Sequence, residues 1–448
     1  MNAGTFVVDE RRLRERHAFS RLLRPVVGLM TRVGTLNSEL GAPDFPIAHT
    51  GLGNLTFTMP HVSTPDGQDA RNEALGGAGA DTDRELAWIR AVVEGAERYA
   101  SMAFEERDFV VASARELGSA ALDLTRVPCH SARELAHPAA PFAKVDLDAP
   151  IRWVRGWSLI DGCERLVPAT MTYIYFRPQP GEGFWQMIST GVAAHTRLDE
   201  ALVSAICESV ERDAIALTWL LRLPLPRIEL DGALPGELAR NLSIAGRSQV
   251  RHLFFDATTD LGIPTVYLLQ LLEGQPKLAQ FVGCATDFDA AAACAKTIRE
   301  VAPSRAVFQL PRTRPSEIDE FSSLYDGAAE LGLHRHRGEF QFLIDSPRRR
   351  SLADMAVARP MDAAGRLRVL LERLRAIGSD AVAIDLTTDE LREVGLWAVR
   401  VVVPGLMPMS AVHRGRYLGT PRLYQYPADA GYGTYTEDDI NPAPQPFA

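Results

Sequence analysis

No uninterrupted apolar run of about 18 residues occurs in this 448-residue chain, so no membrane-spanning helix is expected. Positive charge is not in excess: 48 Lys and Arg stand against 57 Asp and Glu, a net charge of −9 that argues against a general nucleic-acid binder. Cysteine is scarce. The five present (Cys129, Cys163, Cys207, Cys284, Cys294) form an odd set without paired ligand spacing, which predicts reduced thiols in a cytoplasmic protein rather than a disulfide framework or zinc site. The N-terminus lacks the apolar core of a secretory signal, and its basic amphipathic stretch, 11–23, reads as a docked first helix. Proline-rich breaks near 138–141, 178–180 and 224–235 are too short and too little biased to be interdomain linkers.

What is present is mixed α and β, without the repeated spacing of a doubly wound sheet. Runs rich in β-branched and aromatic residues predict strands at 109–112, 151–157, 165–176, 265–272, 381–386 and 399–403. Apolar periodicity predicts helices at 82–103, 198–221, 288–302 and 362–377.

Two of those helices carry the pattern Ala-x-x-Glu-x-x-Glu-Arg, as AVVEGAER (91–98) and AICESVER (205–212). Residues three apart share a helix face, so Glu94 and Glu97 point together, as do Glu208 and Glu211. Like charges on one face repel and resist desolvation, so each pair calls for a counter-charge. Mg2+ is suited to that place, because it prefers carboxylate oxygens and arrives with nucleotide phosphates that arginine also clamps. The second helix is apolar over most of its circumference and predicts burial. At about 100° per residue, Glu200, Glu208 and Glu211 fall within a quarter-turn of one another on it. A single Glu-x-x-Glu-Arg copy is ordinary on a solvated face; two copies, one on a buried helix, favour a site.

These residues resemble the YcaO family. The first copy follows Gly77-Ala78-Gly79 and DTDRELAWIR; the second follows Ser189-Thr190-Gly191-Val192-Ala193-Ala194. A third block, GCATDFDAAAACAKTIREVAPSR (283–305), is similar to the segment bearing the family's Glu-x-x-Gln-x-Arg signature, here Glu300-x-x-Pro303-x-Arg305. The stretch 381–409 resembles the family's strand, Asp-Leu-Thr, helix, strand and Pro-Gly-Leu sequence. The ending NPAPQPFA is close to the proline-rich terminus of the azoline-forming branch. The resemblance runs through roughly 30–448. It implies a YcaO-type α+β fold with two pseudo-equivalent acidic helices, a helical extension over 1–29, a catalytic domain over 30–441 and a Pro-x-Pro-x-Pro tail over 442–448.

By that resemblance the chain is an ATP- and Mg2+-dependent cyclodehydratase acting on a ribosomally made precursor peptide. A Cys, Ser or Thr side chain attacks the preceding carbonyl, the resulting oxyanion is phosphorylated, and loss of phosphate leaves a thiazoline or oxazoline. The implied metal ligands are Glu94, Glu97, Glu208 and Glu211. Arg98, Ser189, Glu200, Arg212, Glu300 and Arg305 are the implied nucleotide shell. Pro442, Pro444, Pro446 and Ala448 are expected to form a stiff tail that projects its carboxylate into the cyclisation cleft.

The chain departs from the family pattern at Ala78 (a lysine), Ala91 (a serine), Thr196 (an asparagine) and Pro303 (a glutamine). Two other readings therefore stand beside the first: amide activation for a thioamide or macroamidine, and a degenerate scaffold without catalysis. The proline tail favours the azoline reading. The implied partners are the precursor peptide, an E1-like leader-binding protein and an FMN-dependent dehydrogenase, in a homodimer or hetero-complex, with neither nucleic acid nor membrane involved.

Overall fold

The computed structural model describes residues 10–447 except 24–27, 31, 54, 56–58, 63–75, 311 and 356–361. Three sheets organise the described residues. The first is antiparallel: β1 (Arg32–Leu36), β2 (Ile47–Gly51) and β3 (Ala78–Ala80). The second contains β4 (Val110–Ala112), β5 (Ile151–Ser158), β6 (Cys163–Pro168) and β7 (Val192–His195). It is completed late in the chain by β13 (Val382–Asp385) and β14 (Trp397–Val402), in the order β4-β5-β13-β14-β7 with β6 also on β5. The third runs β11-β10-β9-β8-β12, from β8 (Arg227–Glu229), β9 (Arg251–Asp256), β10 (Thr265–Leu271), β11 (Gln280–Thr286) and β12 (Arg349–Ser351).

Each sheet has one edge strand that leads straight into a long helix. β3 feeds α1 (Arg84–Ala100), β7 feeds α2 (Leu198–Leu221) and β11 feeds α3 (Ala290–Val307). The three units share a register. Gly77, Gly191 and Gly283 occupy equivalent places, each seventeen residues before Glu94, Glu208 and Glu300; Asp83, Arg197 and Asp289 are the N-caps. Asp83 and Asp289 accept backbone N–H bonds that the helix start leaves open. Besides its own sheet, each helix packs on the edge strand of another unit: α1 on β7, α2 on β11, α3 on β3. The arrangement is a closed, pseudo-threefold cycle. The two acidic helices legible in the sequence are two of three.

Side chains explain the placement. α1 is amphipathic and buries Trp88, Ala91, Val92 and Ala96 in a cluster with Trp153 and Val167. α2 is apolar nearly all round and lies largely buried between two clusters, as such a helix must. α3 lays Cys294, Ile298 and Val301 on Val266, Leu268 and Phe281 of the third sheet. α4 (Ala363–Ala376) closes over α2 with Leu370 and Leu374.

The glycines permit the close approach of strand and helix. A Cβ on Gly77 would lie 2.2 Å from the Ala91 carbonyl oxygen and 2.3 Å from the Gly95 nitrogen. Gly191 adds a φ of +80°, and a Cβ there would meet the Val401 carbonyl oxygen at 2.4 Å.

Four helices and most of the expected strands occur within a few residues of their predicted bounds. The strand expected over 165–176 stops at Pro168, where Ala169–Thr172 wind into a helical turn and Thr172 Oγ1 donates to the Pro168 carbonyl. The helix expected to end at 302 continues through Pro303 to Val307. The N-terminal helix Glu10–Arg16 is docked, with Leu13 buried in the same cluster as α1. No helix among the described residues is long and apolar enough to cross a membrane.

Replacing Gly191 by alanine should cost about 3 kcal/mol or more, from strain at positive φ together with overpacking. The same change at Gly118, whose φ is also positive but whose Cβ would meet nothing, should cost clearly less. Urea denaturation of the two variants checks this; equal losses would mean that the strand–helix contact is slack.

Candidate functional site

Seams between neighbouring units hold the charged side chains. On α1, Glu94 accepts the Ala78 N–H at 2.7 Å and pairs with Arg98 at 2.8 Å. On α2, Glu208 accepts the Gly191 N–H at 2.9 Å and pairs with Arg212 at 3.2 Å. The second glutamates reach across to the next unit instead. Glu97 accepts the Ala194 N–H of β7 at 2.8 Å, and Glu211 the Thr286 N–H of β11 at 3.1 Å. The equivalent of Glu97 and Glu211 on α3 is Pro303, so the third seam lacks that carboxylate. In its place α3 brings Lys296, whose Nζ lies 3.7 Å from Glu211 and 3.9 Å from Glu300.

The cluster is short of positive charge. The Glu97 carboxyl is pushed up to about 8, chiefly by burial and then by Glu94 and Glu208, against the Ala194 N–H that lowers it. Glu97 is recessed rather than sealed: protein surrounds it, yet its side chain keeps intermediate exposure. Burial also raises Glu211, with Lys296 and Arg212 opposing and Glu300 and Glu208 adding to the rise. Lys296 is held strongly in its charged form, first by Glu300. Burial works against the charge of Arg212, but Glu208 and Glu211 outweigh it, and Nε of Arg212 is buried without a partner.

A fit to Mg2+ and a nucleotide can be judged from these groups. Among the described residues no three acidic, histidine or cysteine side chains converge as a ready-made metal cage. The glutamates form two pairs, each tied down by a backbone N–H. Mg2+ characteristically takes one or two carboxylates and fills its remaining positions with water and phosphate oxygens. Crowded carboxylates, two of them (Glu97 and Glu211) with raised proton affinity, beside the unpartnered Nε of Arg212, suit that mode.

Not every expected residue belongs to the cluster. Glu200 lies about 12 Å along α2 from Glu208, by the helical rise, and pairs with Arg366 of α4 at 2.8 Å. Arg305 points to the far side of α3. It is buried against Glu39 at 2.5 Å and also donates to the Leu278 carbonyl. Ser189 sits before β7, not at the start of α2, and the N–H that its loop offers, that of Gly191, is already taken by Glu208. Glu300 is in the cluster through Lys296.

The proline tail packs into the body of the protein. Asn441 donates to the Leu220 carbonyl and Trp219 Nε1 to the Ala443 carbonyl. Pro444, Pro446 and Phe447 are buried, while Pro442 is exposed. Phe447 meets Tyr267 of β10 edge-on at 5.2 Å. Tyr267 is the register partner of Cys284, whose thiol is held up by burial and senses Glu211 and Arg212. The tail thus runs to within a few side chains of the cluster. Ala448 lies outside the described residues.

Sequence reasoning missed Lys296 and Arg400. Arg400, on β14, is 3% exposed and near enough to Glu208 to feel its charge. Its signal was there to find: a single charge in the run AVRVVV.

A family model described as YcaO cyclodehydratase, ATP- and Mg2+-binding, matches residues 77–407. An uncharacterized protein of Methanothermobacter thermautotrophicus is 25% identical over 367 residues, 81% of this chain and 88% of that protein. The fold is similar to that of a heterocyclase in complex with substrate and cofactor (TM-score 0.78, 21% identity), covering 100% of this chain. This chain spans 58% of the length of that heterocyclase. It is also similar to the YcaO protein of Methanopyrus kandleri bound with AMPPCP and Mg2+ (TM-score 0.62, 16% identity, 91% of this chain and 92% of that one).

The raised carboxyl of Glu97 fixes the sign of a pH dependence. Between its ordinary value of 4.5 and about 8, the unfolded chain has released a proton that the folded chain keeps. The folded state therefore binds more protons, and its stability contribution falls as pH rises through that window. In chelator-treated protein, Glu97→Gln should flatten the decline in melting temperature between pH 5 and 8. A variant that keeps the wild-type slope would place its origin elsewhere.

Proposed function

The chain belongs to the YcaO family, and on that premise we propose that it is a cyclodehydratase that forms thiazoline or oxazoline rings in a ribosomally made precursor peptide. The family description bears out ATP and Mg2+ as the cofactors expected from the sequence. The observation that carries the proposal is the pair of seams in which Glu94, Glu97, Glu208 and Glu211 crowd beside Arg98 and Arg212. Amide oxygen is a poor leaving group, and the bound nucleotide with its metal supplies the phosphoryl group that makes it a good one.

The residues of the chain then have separable tasks. The glutamates would hold the metal, and their backbone N–H bonds fix the carboxylates in place. Arg98 and Arg212 balance phosphate charge, each pre-positioned one helical turn from the glutamate it pairs with. Lys296 holds Glu211 and Glu300 together and lowers the repulsion that a polyanion meets. Glu200 and Arg305 have structural tasks away from the cluster, in ion pairs with Arg366 and Glu39. The docked tail supports the azoline reading over the thioamide or macroamidine reading, because it brings a stiff, donor-poor segment to Tyr267, the register partner of Cys284, whose thiol senses Glu211.

A leader-binding E1-like partner belongs to this reading, and a chain of similar fold occurs within the E. coli microcin synthetase complex (TM-score 0.58, 14% identity). Tethering the peptide through such a partner raises its effective concentration at the site. A dehydrogenase that oxidises the product would act after it, and the five free thiols suit a cytoplasmic setting.

Glu208→Gln and Glu211→Gln should each lower peptide-dependent ATP hydrolysis by about a hundredfold or more, with cooperative unfolding retained because relief of crowding offsets the lost charge. The measurement is phosphate release and peptide mass, one water lost per ring, with precursor and partner present. Full turnover in both variants would sink the assignment. In the same assay, residues appended after Ala448 should suppress ring formation far more than ATP affinity; unchanged mass loss would reduce the tail to a packing element and favour another amide chemistry.

A further inference from the structure

The pseudo-threefold register places one side chain at the same position in each unit, on the strand beside the glycine-led edge strand. His49 stands opposite Ala78, Arg400 opposite Val192 and Tyr267 opposite Cys284. The residue after each (Thr50, Val401, Leu268) lies beside the corresponding glycine, and Thr50 and Val401 donate their N–H to its carbonyl.

Arg400 is the position that carries a charge into this ring, and its charge is poorly matched. Among the described residues its guanidinium makes one hydrogen bond, from Nη1 to the Thr172 carbonyl at a long 3.3 Å, and Nε has no partner. Glu208, the carboxylate it senses, is already committed to Arg212 and the Gly191 N–H. Burial accordingly pulls the guanidinium down to about 10. A guanidinium has five donors in a fixed fork, and leaving one of them buried and unmet, as Nε is here, is costly. Its location gives the mismatch meaning. Arg400 pairs with Val192, between Gly191, which serves Glu208, and Ala194, which serves Glu97. A cation with no carboxylate of its own therefore stands on the strand next to the backbone donors that hold Glu208 and Glu97. A polyanion carrying a divalent metal satisfies the cation and those carboxylates at once.

We propose that Arg400 contacts the phosphate chain of the bound nucleoside triphosphate, from the β14 side of the seam between α1 and α2. The proposal rests on the nucleotide-binding reading above, and it deepens that reading by adding an anion-binding residue on a strand to those on the helices.

The test uses the full chain with Mg2+ and a fluorescent ATP analogue, displaced in turn by AMPPNP, inorganic triphosphate and adenosine. Arg400→Met should weaken displacement by AMPPNP and by triphosphate about 10- to 100-fold, the loss of a charge-assisted contact, and leave adenosine unchanged. Arg400→Lys should recover part of the loss, because it keeps the charge but not the fork. Equal weakening of triphosphate and adenosine, or no change in either, would assign Arg400 to packing against Thr172 and overturn the proposal. Should the methionine variant fail to fold, the lysine variant decides by the same contrast: AMPPNP and triphosphate weakened with adenosine unchanged supports the contact, and any other pattern overturns it. A wild-type chain that binds none of the probes would instead overturn the nucleotide-binding reading itself.

Discussion

A glutamate on a buried helix accepting a backbone N–H from a strand is the contact around which this protein is built. It occurs in two forms. Glu94 and Glu208 bind the strand that leads into their own helix, and Glu97 and Glu211 bind the edge strand of the next unit. The first form sets the tilt of each helix on its sheet; the second ties one sheet to another. A carboxylate held by an N–H bond is costly to move, even where, as at Glu97, burial and neighbouring acids raise its proton affinity. The same four side chains that join the units are therefore those left facing one another across the seam. Structure and candidate chemistry share atoms, and the repulsion that a metal would relieve is the residue of an architectural joint.

The cycle is unequal. Two seams have a carboxylate in the bridging position and the third has Pro303. The three inward positions on the neighbouring strands hold a histidine, an arginine and a tyrosine, so the surroundings differ at each seam although the backbone repeats. Charge concentrates where α1, α2 and the Lys296 turn of α3 meet, and disperses toward Arg305, which is neutralised by Glu39 in the interior.

Helical periodicity made α1, α2, α3 and α4 readable, because each is long and its apolar pattern is strong. The acidic motifs were readable for a related reason: carboxylates in alanine-rich helices are conspicuous. Short strands were not. β3 is Ala-Gly-Ala and β7 is Val-Ala-Ala-His, and neither has the β-branched content that marks a strand; their pairing comes from tertiary contact. That gap hid the third unit, since the equivalence of Gly77, Gly191 and Gly283 shows once the edge strands are aligned. Spacing along a helix grouped Glu200 with Glu208 and Glu211, and the family signature supplied Arg305; the structure puts both outside the cluster. Sharing a helix, or a quarter-turn, says nothing of the ion pairs waiting on neighbouring elements, Arg366 for one and Glu39 for the other.

The docking of residues 441–447 against Trp219 and Leu220 has a consequence for how the molecule is made. These contacts join segments more than two hundred residues apart, and β13 and β14 likewise enter the second sheet from late in the chain. Closing such distant pairs is slow and entropically costly, so the wall that surrounds the C-terminal end of α2 is assembled late. During synthesis that very apolar helix must wait with Trp219 and its neighbours uncovered. The helix that carries half of the acidic cluster is thus exposed to aggregation until residues 441–447 have been made.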